Sequence, residues 1–430
     1  MPLAARSTGL RMFIGAHVSG AKGVQNSVTN CVHIGGNAFA LFLKSQRKWE
    51  NPPLQDEHRD GFKSNCIEHQ YDATKHILPH GSYLVNLAQE DPDKAKQAYD
   101  SFLEDLQRCE ALGVKLYNFH PGTTNNAPRP AAIARIASAL NRAHASTTTV
   151  VPLLETIAGS GNVIGSTFHD LASIISLVEN KSRIGICLDT CHLFAAGYDL
   201  RTPTSFGAVI KDLDETVGLQ YVRALHLNDS KAPFESRRDL HANIGTGFLG
   251  LRAFWNVMNE KRFEGLPMVL ETPIDRKVDG GEGEMKVKKD VENDGEEGPA
   301  TGQKGRGKAK SKDKGPAKPP KEKTVEHKSI WAREIKLLES LIGMDVEGEE
   351  FKRMEKELAD QGAEEREKHL EAFERKLEKE QKVKTKDIGS FFVKGKAKTK
   401  AKGDGNVQQA VEDAGSPLSE LSDLSDDSDK

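Results

Sequence analysis

Residues 115–155 read KLYNFHPGTTNNAPRPAAIARIASALNRAHASTTTVVPLLE. An apolar run, Lys115–Phe119, ends on His120. A stretch with helical spacing, Ala131–Ala145, follows, and then a second apolar run, Val150–Leu154, which ends on Glu155. Two short strands joined by a helix make a parallel βα unit, because parallel neighbours need a crossover long enough to hold a helix. The same unit recurs on both sides. Further apolar runs are Phe13–Val18, Ala38–Leu43, His76–Leu78, Ile184–Leu188, Tyr221–Leu227 and Met268–Leu270, with helical spacing over Lys94–Leu112, Phe168–Glu179 and Leu251–Asn259. Eight strand–helix units in roughly 260 residues predict an α/β fold, a (β/α)8 TIM barrel, with an open doubly wound sheet as the alternative.

The strand ends favour closure. Polar residues follow six of the runs: His80, His120, Glu155, Asp189, His226 and Glu271. In a barrel these positions meet on one face, where active sites form.

Past Ile274 the pattern changes. Residues 276–327 contain no aromatic residue and are rich in Gly, Lys, Glu and Pro, too little apolar material to bury a core. Helical spacing returns over Ser329–Ile342, with Ile330, Ile335, Leu338 and Leu341 on one face. The expected organisation is a barrel domain over 12–344 interrupted by a low-complexity insertion at 276–327. A charged helical extension over 345–382, in two pieces around Gly362, and a disordered tail over 383–430 complete it.

The formal net charge of −3 and mean hydropathy of −0.56 average over this segregation. Lys-rich blocks near 304–323 and 382–402 stand beside an acidic, Ser-rich end, a pattern associated with nucleic acid or nuclear transport. Five cysteines without a CxxC pair, and no secretory or membrane-spanning run, point to a reducing compartment and exclude a membrane role. The nucleus is the expected location. Arg6 and Arg11 in an acid-free start leave the mitochondrion as a second.

The polar residues fall in clusters: LPHGSYL around His80, NFHPG around His120, LLETIAG around Glu155, CLDTCH with Asp189 and His192, LHLNDSK with His226, RRDLH with Asp239 and His241, and VLET with Glu271. Five His, two Asp and two Glu without thiolate suit zinc in a catalytic setting. They are too many for one ion. Asp189 with His192 also fits a local helix cap.

These segments, over roughly 12–275 and again 329–342, resemble the endonuclease IV family of abasic-site endonucleases. The resemblance implies three zinc ions per chain. His80, His120 and Glu155 hold the first, Glu155, Asp189, His226 and Glu271 the second, and His192, Asp239 and His241 the third. Glu155 then bridges, and Glu155 and Glu271 count as catalytic. The implied reaction, in base excision repair, is hydrolysis of the phosphodiester 5′ to an abasic site in double-stranded DNA. It leaves a 3′-hydroxyl, with cleaning of blocked 3′ ends beside it. A monomer is expected.

The loop Lys44–Trp49 resembles the family loop that enters the DNA minor groove, with Gln46 and Arg47 at the intruding positions. Tyr83 and Leu84 match further wedge residues. A wedge offsets an unstacking cost of a few kcal/mol. Two departures stand out: Thr156 where the family often has Asn, and the long insertion after Glu271. His17, in GAHVS, is expected to pack or support a ligand without being one. A barrel sugar isomerase and a non-catalytic repair scaffold are the competing readings. The isomerase leaves the third ligand set and the Gln46–Arg47 loop unexplained. In the tail, Ile388, Phe391 and Phe392 resemble the sliding-clamp (PCNA) interaction box, with Thr385 where that box usually has Gln.

Overall fold

The computed structural model describes the backbone of residues 1–277 and 324–396, and side chains to 276 and over 324–379. Seven parallel strands form one sheet: β1 (Phe13–His17), β2 (Ala38–Ala40), β3 (Leu116–Phe119), β4 (Val151–Glu155), β5 (Gly185–Asp189), β6 (Val222–His226) and β7 (Pro267–Leu270). Their order is β2-β1-β7-β6-β5-β4-β3. The eighth expected strand, His76–Leu78, is not a regular strand. The segment from Ile77 to His80 closes the ring by single bridges, Phe39 to Ile77, Phe42 to His80 and His80 to Asn118. Pro79 lies inside this segment and has no N–H to give to a ladder. Its carbonyl accepts from Asn118 N at 2.9 Å instead. The barrel prediction stands, with one stave reduced to bridges.

Every strand residue of β4 and β5 is buried, as expected for a parallel sheet covered on both faces. Leu78, Leu116, Leu153, Cys187, Ala224 and Val269 fill the inside of the ring. Gly15 allows the tightest approach: a Cβ there would overlap the Ala38 carbonyl.

The helices follow their local signals. Pro92–Leu112 starts at Asp91, whose carboxylate accepts from Asp93 N and Lys94 N at 3.1 and 3.0 Å. It stops at Gly113, whose φ of 77° is left-handed. Arg129–Ser146, Phe168–Leu177 and Gly250–Met258 stand where the spacing puts them. Ser329–Ser340 closes the barrel after the insertion, with Ile335 and Leu338 fully buried. The insertion leaves and returns through a two-stranded stem, Asp275–Lys277 against Thr324–Glu326. Residues 278–323 lie outside the described residues.

The start of the chain is docked. The Arg6 guanidinium sits 3.9 Å over the Tyr71 ring, Ser7 Oγ donates to Glu339 at 2.6 Å, and Arg11 pairs with Glu264 at 2.6 Å.

The C-terminal extension differs from expectation. Glu349–Lys396 is one helix, unbroken at Gly362 and running past 382. Gly362 is not a break because it is a contact: a Cβ there would overlap the Thr246 carbonyl. Nor is the first part simply solvated, since Phe351 is fully buried. Met1–Phe373 forms one compact unit and the residues from Glu374 a second. Ile388, Phe391 and Phe392 lie on the helical backbone, but their side chains are outside the described residues. Among the described residues no helix is long and apolar enough to cross a membrane.

Lys277 and Thr324 face each other in the stem, so a two-residue Asn-Gly turn can replace 278–323. The shortened protein should stay soluble and gain up to about 3 kcal/mol of stability, because the loop is halved about four and a half times at about 0.6 kcal/mol each. Denaturant titration checks this. An insoluble product would show that the segment packs on the barrel.

Candidate metal centre

Each polar residue read from the strand ends arrives on one face of the barrel. Glu155, Asp189 and His226 are the last residues of β4, β5 and β6. His120 and Glu271 directly follow β3 and β7, and His80 ends the closing stave. His192 stands one turn into helix Thr190–Ala196. Asp239 and His241 come from the lobe after β6, where Asp229–Ser230 pairs antiparallel with His241–Ala242. Asp189 is the local helix cap that its spacing to His192 also fits. Its Oδ1 caps the helix by accepting from His192 N at 2.8 Å, while Oδ2 faces His226 Nδ1 at 3.8 Å and His241 Nε2 at 4.0 Å.

Glu155 is the centre, and it is fully buried. Its Oε2 lies 3.1 Å from His80 Nε2 and 3.4 Å from His120 Nε2. Its Oε1 lies 3.3 Å from His226 Nδ1. His226 Nδ1 is also 3.4 Å from Glu271 Oε2. The third set is tighter, with His192 Nε2 and His241 Nε2 at 3.2 and 3.1 Å from Asp239 Oδ1. Three compact groups of potential ligand atoms result: His80, Glu155 and His226; Glu155, Asp189, His226 and Glu271; and His192, Asp239 and His241. Eight of the nine expected ligands fall in them. His120, at 29% side-chain exposure, stands at their edge.

The backbone sets the tautomers. His80 Nδ1 lies 2.8 Å from Gly81 O, His192 Nδ1 2.7 Å from Thr156 O, and His241 Nδ1 3.2 Å from Glu271 O. With Nδ1–H donated to a carbonyl, each ring aims the Nε2 lone pair inward, the arrangement that metal-ligating imidazoles adopt. His192 Nε2 and His241 Nε2 are buried and make no hydrogen bond. Two buried imidazole nitrogens converging on one carboxylate oxygen fit a divalent cation such as zinc, which would take the place of their protons. A fourth grouping joins Cys191 to Asp189 and His241. Burial pushes the Cys191 thiol up to about 12, so it stays a protonated thiol at neutral pH.

Electrostatics agree with a cation-shaped site. Burial alone would raise the Glu155 carboxyl, yet His226, His120 and His192 hold it well below the usual range. Burial opposes a charge on His241, but Asp239 and Asp189 raise it to about 9. Against their own burial, His192 is raised by Asp189, Asp239 and Glu155, and His226 by Cys187, Glu271 and Glu155.

Supporting residues appear that sequence reading passed over. Asn118 Nδ2 donates to Glu155 Oε2. Asn228 Nδ2 donates to Asp189 Oδ2 at 2.7 Å, and its Oδ1 accepts from Glu271 N at 2.9 Å. Each asparagine is two residues from a ligand, His120 or His226, and strand alternation puts it on the ligand's face. That signal was available. His17 holds Glu271, Nδ1 to Oε1 at 2.9 Å, which is the supporting role expected. Thr156 supplies its Oγ1 to Asp189 N at 2.9 Å as well as its carbonyl to His192.

The DNA-reading candidates stand at the rim. Tyr83 is 59% exposed and Leu84 38%. The Tyr83 ring centre is 5.3 Å from those of His80 and His120. Arg47 is exposed, and Gln46 O accepts from Ser82 Oγ at 3.0 Å, which joins the two loops. Lys44 does not belong to the exposed set. At 3% side-chain exposure, its Nζ donates to Ser101 O at 2.7 Å and Glu104 Oε2 at 2.8 Å. Arg108 holds both ends of the Lys44–Trp49 loop, through Leu43 O at 3.2 Å and Pro52 O.

The model of the xylose isomerase-like TIM barrel family matches residues 28–293. Apurinic-apyrimidinic endonuclease 1 of Saccharomyces cerevisiae is 46% identical over 274 residues, 64% of this chain and 75% of that protein. The protein of that name in Schizosaccharomyces pombe is 41% identical over 356 residues, 83% of this chain and 89% of its own. The crystal structure of endonuclease IV from Thermus thermophilus superposes with a TM-score of 0.54 at 31% identity, covering 61% of this chain and 92% of that one.

The raised imidazoles set a pH dependence for the metal-free protein. His241, ordinarily near 6.5 and here about 9, contributes stability that is full below pH 6.5 and lost as pH rises through 9. Chelator-treated protein should therefore melt at a lower temperature at pH 9.5 than at pH 6.5. Metal uptake displaces the same protons, so metal affinity should rise across this window. Melting and metal titration at both pH values test it; pH-independent results would refute the assignment of these histidines.

Proposed function

The chain belongs to the endonuclease IV family of xylose isomerase-like TIM barrels, and from that membership we propose a zinc-dependent enzyme of base excision repair that hydrolyses the phosphodiester 5′ to an abasic site, leaves a 3′-hydroxyl and also cleans blocked 3′ ends. It is a DNA-cleaving hydrolase, an apurinic-apyrimidinic endonuclease. Three zinc ions, action in the nucleus with the mitochondrion as a second location, and a sliding-clamp contact through Ile388, Phe391 and Phe392 are further parts of the proposal.

The observation that carries the metal reading is how Glu155 divides its neighbours. One carboxylate oxygen faces His80 and His120, and the other faces His226 and His192. A carboxylate divided in this way would suit being shared between two ions. His80, His120 and Glu155 would hold one ion, Glu155, Asp189, His226 and Glu271 the second, and His192, Asp239 and His241 the third. Zinc in such sets supplies Lewis acidity: it neutralises phosphate charge and lowers the pKa of water to about 7.

The chain's own residues do the rest. Asn118 and His17 fix the carboxylates of Glu155 and Glu271 through direct hydrogen bonds. Burial of Glu155, Asp189 and His226 keeps bulk water from competing for them. Asp239, at 52% side-chain exposure, is the member of the nine most open to an incoming phosphate. Tyr83, Leu84, Gln46 and Arg47 stand over the opening as the wedge that would hold a bent duplex at the gap left by a missing base. No base-specific contact is required, because the lesion is the absence of a base.

A duplex with one abasic analogue tests the reading. Wild-type protein should cut it 5′ to the lesion and leave the undamaged duplex intact, while Glu155→Ala cuts neither. Arg47→Ala at fixed salt should raise KM about tenfold, or about 1.4 kcal/mol, with kcat and metal content unchanged. Full activity in Glu155→Ala would end the mechanism, and an unchanged KM in Arg47→Ala would end the wedge. A peptide spanning 381–396 that fails to bind the clamp at high micromolar concentration would remove the clamp contact.

A further inference from the structure

We propose that the first part of the C-terminal helix, residues 349–373, is a brace for the lobe 229–248 and sets where Asp239 and His241 stand. The inference rests on the reading of those two residues as metal ligands.

The lobe needs support from outside itself. It carries Glu235 at φ 61° and Arg237 at φ 54°, two non-glycine residues in the left-handed region within five residues of Asp239. Such residues persist where the surroundings over-determine them. On the inner side, the buried Asp229 carboxylate accepts from Ser230 N at 2.7 Å, Gly247 N and Leu249 N at 2.9 Å, and Gly250 N at 3.3 Å. That ties both ends of the lobe to β6. Glu334 reaches Asn243 and Ile244 from this side, at 3.0 and 2.8 Å, but among the described residues no hydrogen bond from it reaches the Thr246 carbonyl at the outer turn.

The helix does. Its backbone at Gly362 lies against the Thr246 carbonyl so closely that a Cβ would overlap it. Arg366 Nη1 donates to the same carbonyl at 2.7 Å while Nη2 donates to Ala359 O at 2.7 Å. Leu358 fills the space over Gly245. On the strand side, Glu365 pairs with Lys231 at 2.9 Å, and Lys231 N donates to Leu240 O, between the two ligands, at 2.9 Å. The helix thus grips the lobe at two points that flank Asp239 and His241 in the chain.

The helix is itself held. Phe351 is fully buried, Arg252 meets Glu355 and Glu347 at 3.3 and 3.2 Å, and Trp255 Nε1 donates to Met344 O at 2.8 Å. Gly362, Glu365 and Arg366 are therefore positioning residues: they touch no ligand atom and act through the lobe.

The test is metal content per folded chain, read by mass spectrometry after dialysis against a weak chelator, with melting temperature measured in parallel. Gly362→Leu should drive a side chain into Thr246 and weaken binding of one metal equivalent about tenfold, as supporting residues of metal sites do. The other equivalents should stay. Should Gly362→Leu misfold, the charge pair decides. Lys231→Glu and Glu365→Lys should each lose the same equivalent, and the double exchange should recover it, which a general stability effect would not do. Wild-type metal content in Gly362→Leu, or in both single exchanges, overturns the brace. Wild-type protein that binds no metal overturns the ligand reading itself, and the brace with it.

Discussion

A carboxylate with no solvent exposure sits at the middle of this protein, and the rest of the fold is arranged to make that tolerable. An isolated buried charge is prohibitive, and a buried charge is retained only where it is paired. Glu155 is paired from several directions at once, by His80, His120 and His226 with Asn118 between them. The three histidines come from three different strand ends, so no partial barrel could satisfy it. This gives the closing stave its importance. Pro79 prevents a regular strand there, yet the bridges on either side hold His80 within 3.1 Å of the carboxylate.

Much of this was legible in the sequence because the signals were local. An apolar run ending on His, Asp or Glu reports both a strand and the rim where it ends, and six such endings named most of the centre. The apolar run His76–Leu78 marks the stave but not its irregularity, since the defect is a missing N–H. The lobe with Asp239 and His241 was found through resemblance more than through pattern, because two-residue strands leave no periodicity to read. The extension was misjudged for a related reason. Charged residues at helical spacing describe a solvated surface equally well whether or not one edge is docked, and at Gly362 absence of a side chain marked a contact where the sequence implied a break.

Chemistry and recognition occupy different parts of the molecule. Six of the nine candidate ligands stand on strand ends fixed by the hydrogen-bonded sheet, while Gln46, Arg47, Tyr83 and Leu84 stand on loops above it. The loops are nonetheless tied down, to each other through Ser82 and Gln46 and to helix Pro92–Leu112 through Lys44 and Arg108. A reading element that is already ordered loses less conformational entropy on contact than a free loop would.

The burial of Lys44 also bears on how this protein exchanges DNA for salt. Cations release condensed counterions from a duplex only when they reach a phosphate, each adding about 0.9 to the slope of log affinity against log salt. Within Lys44–Trp49 three side chains are basic, but Lys44 is spent on Glu104 and Asp105 inside the protein. The loop therefore has only Arg47 and Lys48 left for the polyelectrolyte, a contribution of about two counterions. In the proposed complex its hold on DNA would lean on shape and on the missing base, and would survive rising ionic strength better than its composition implies.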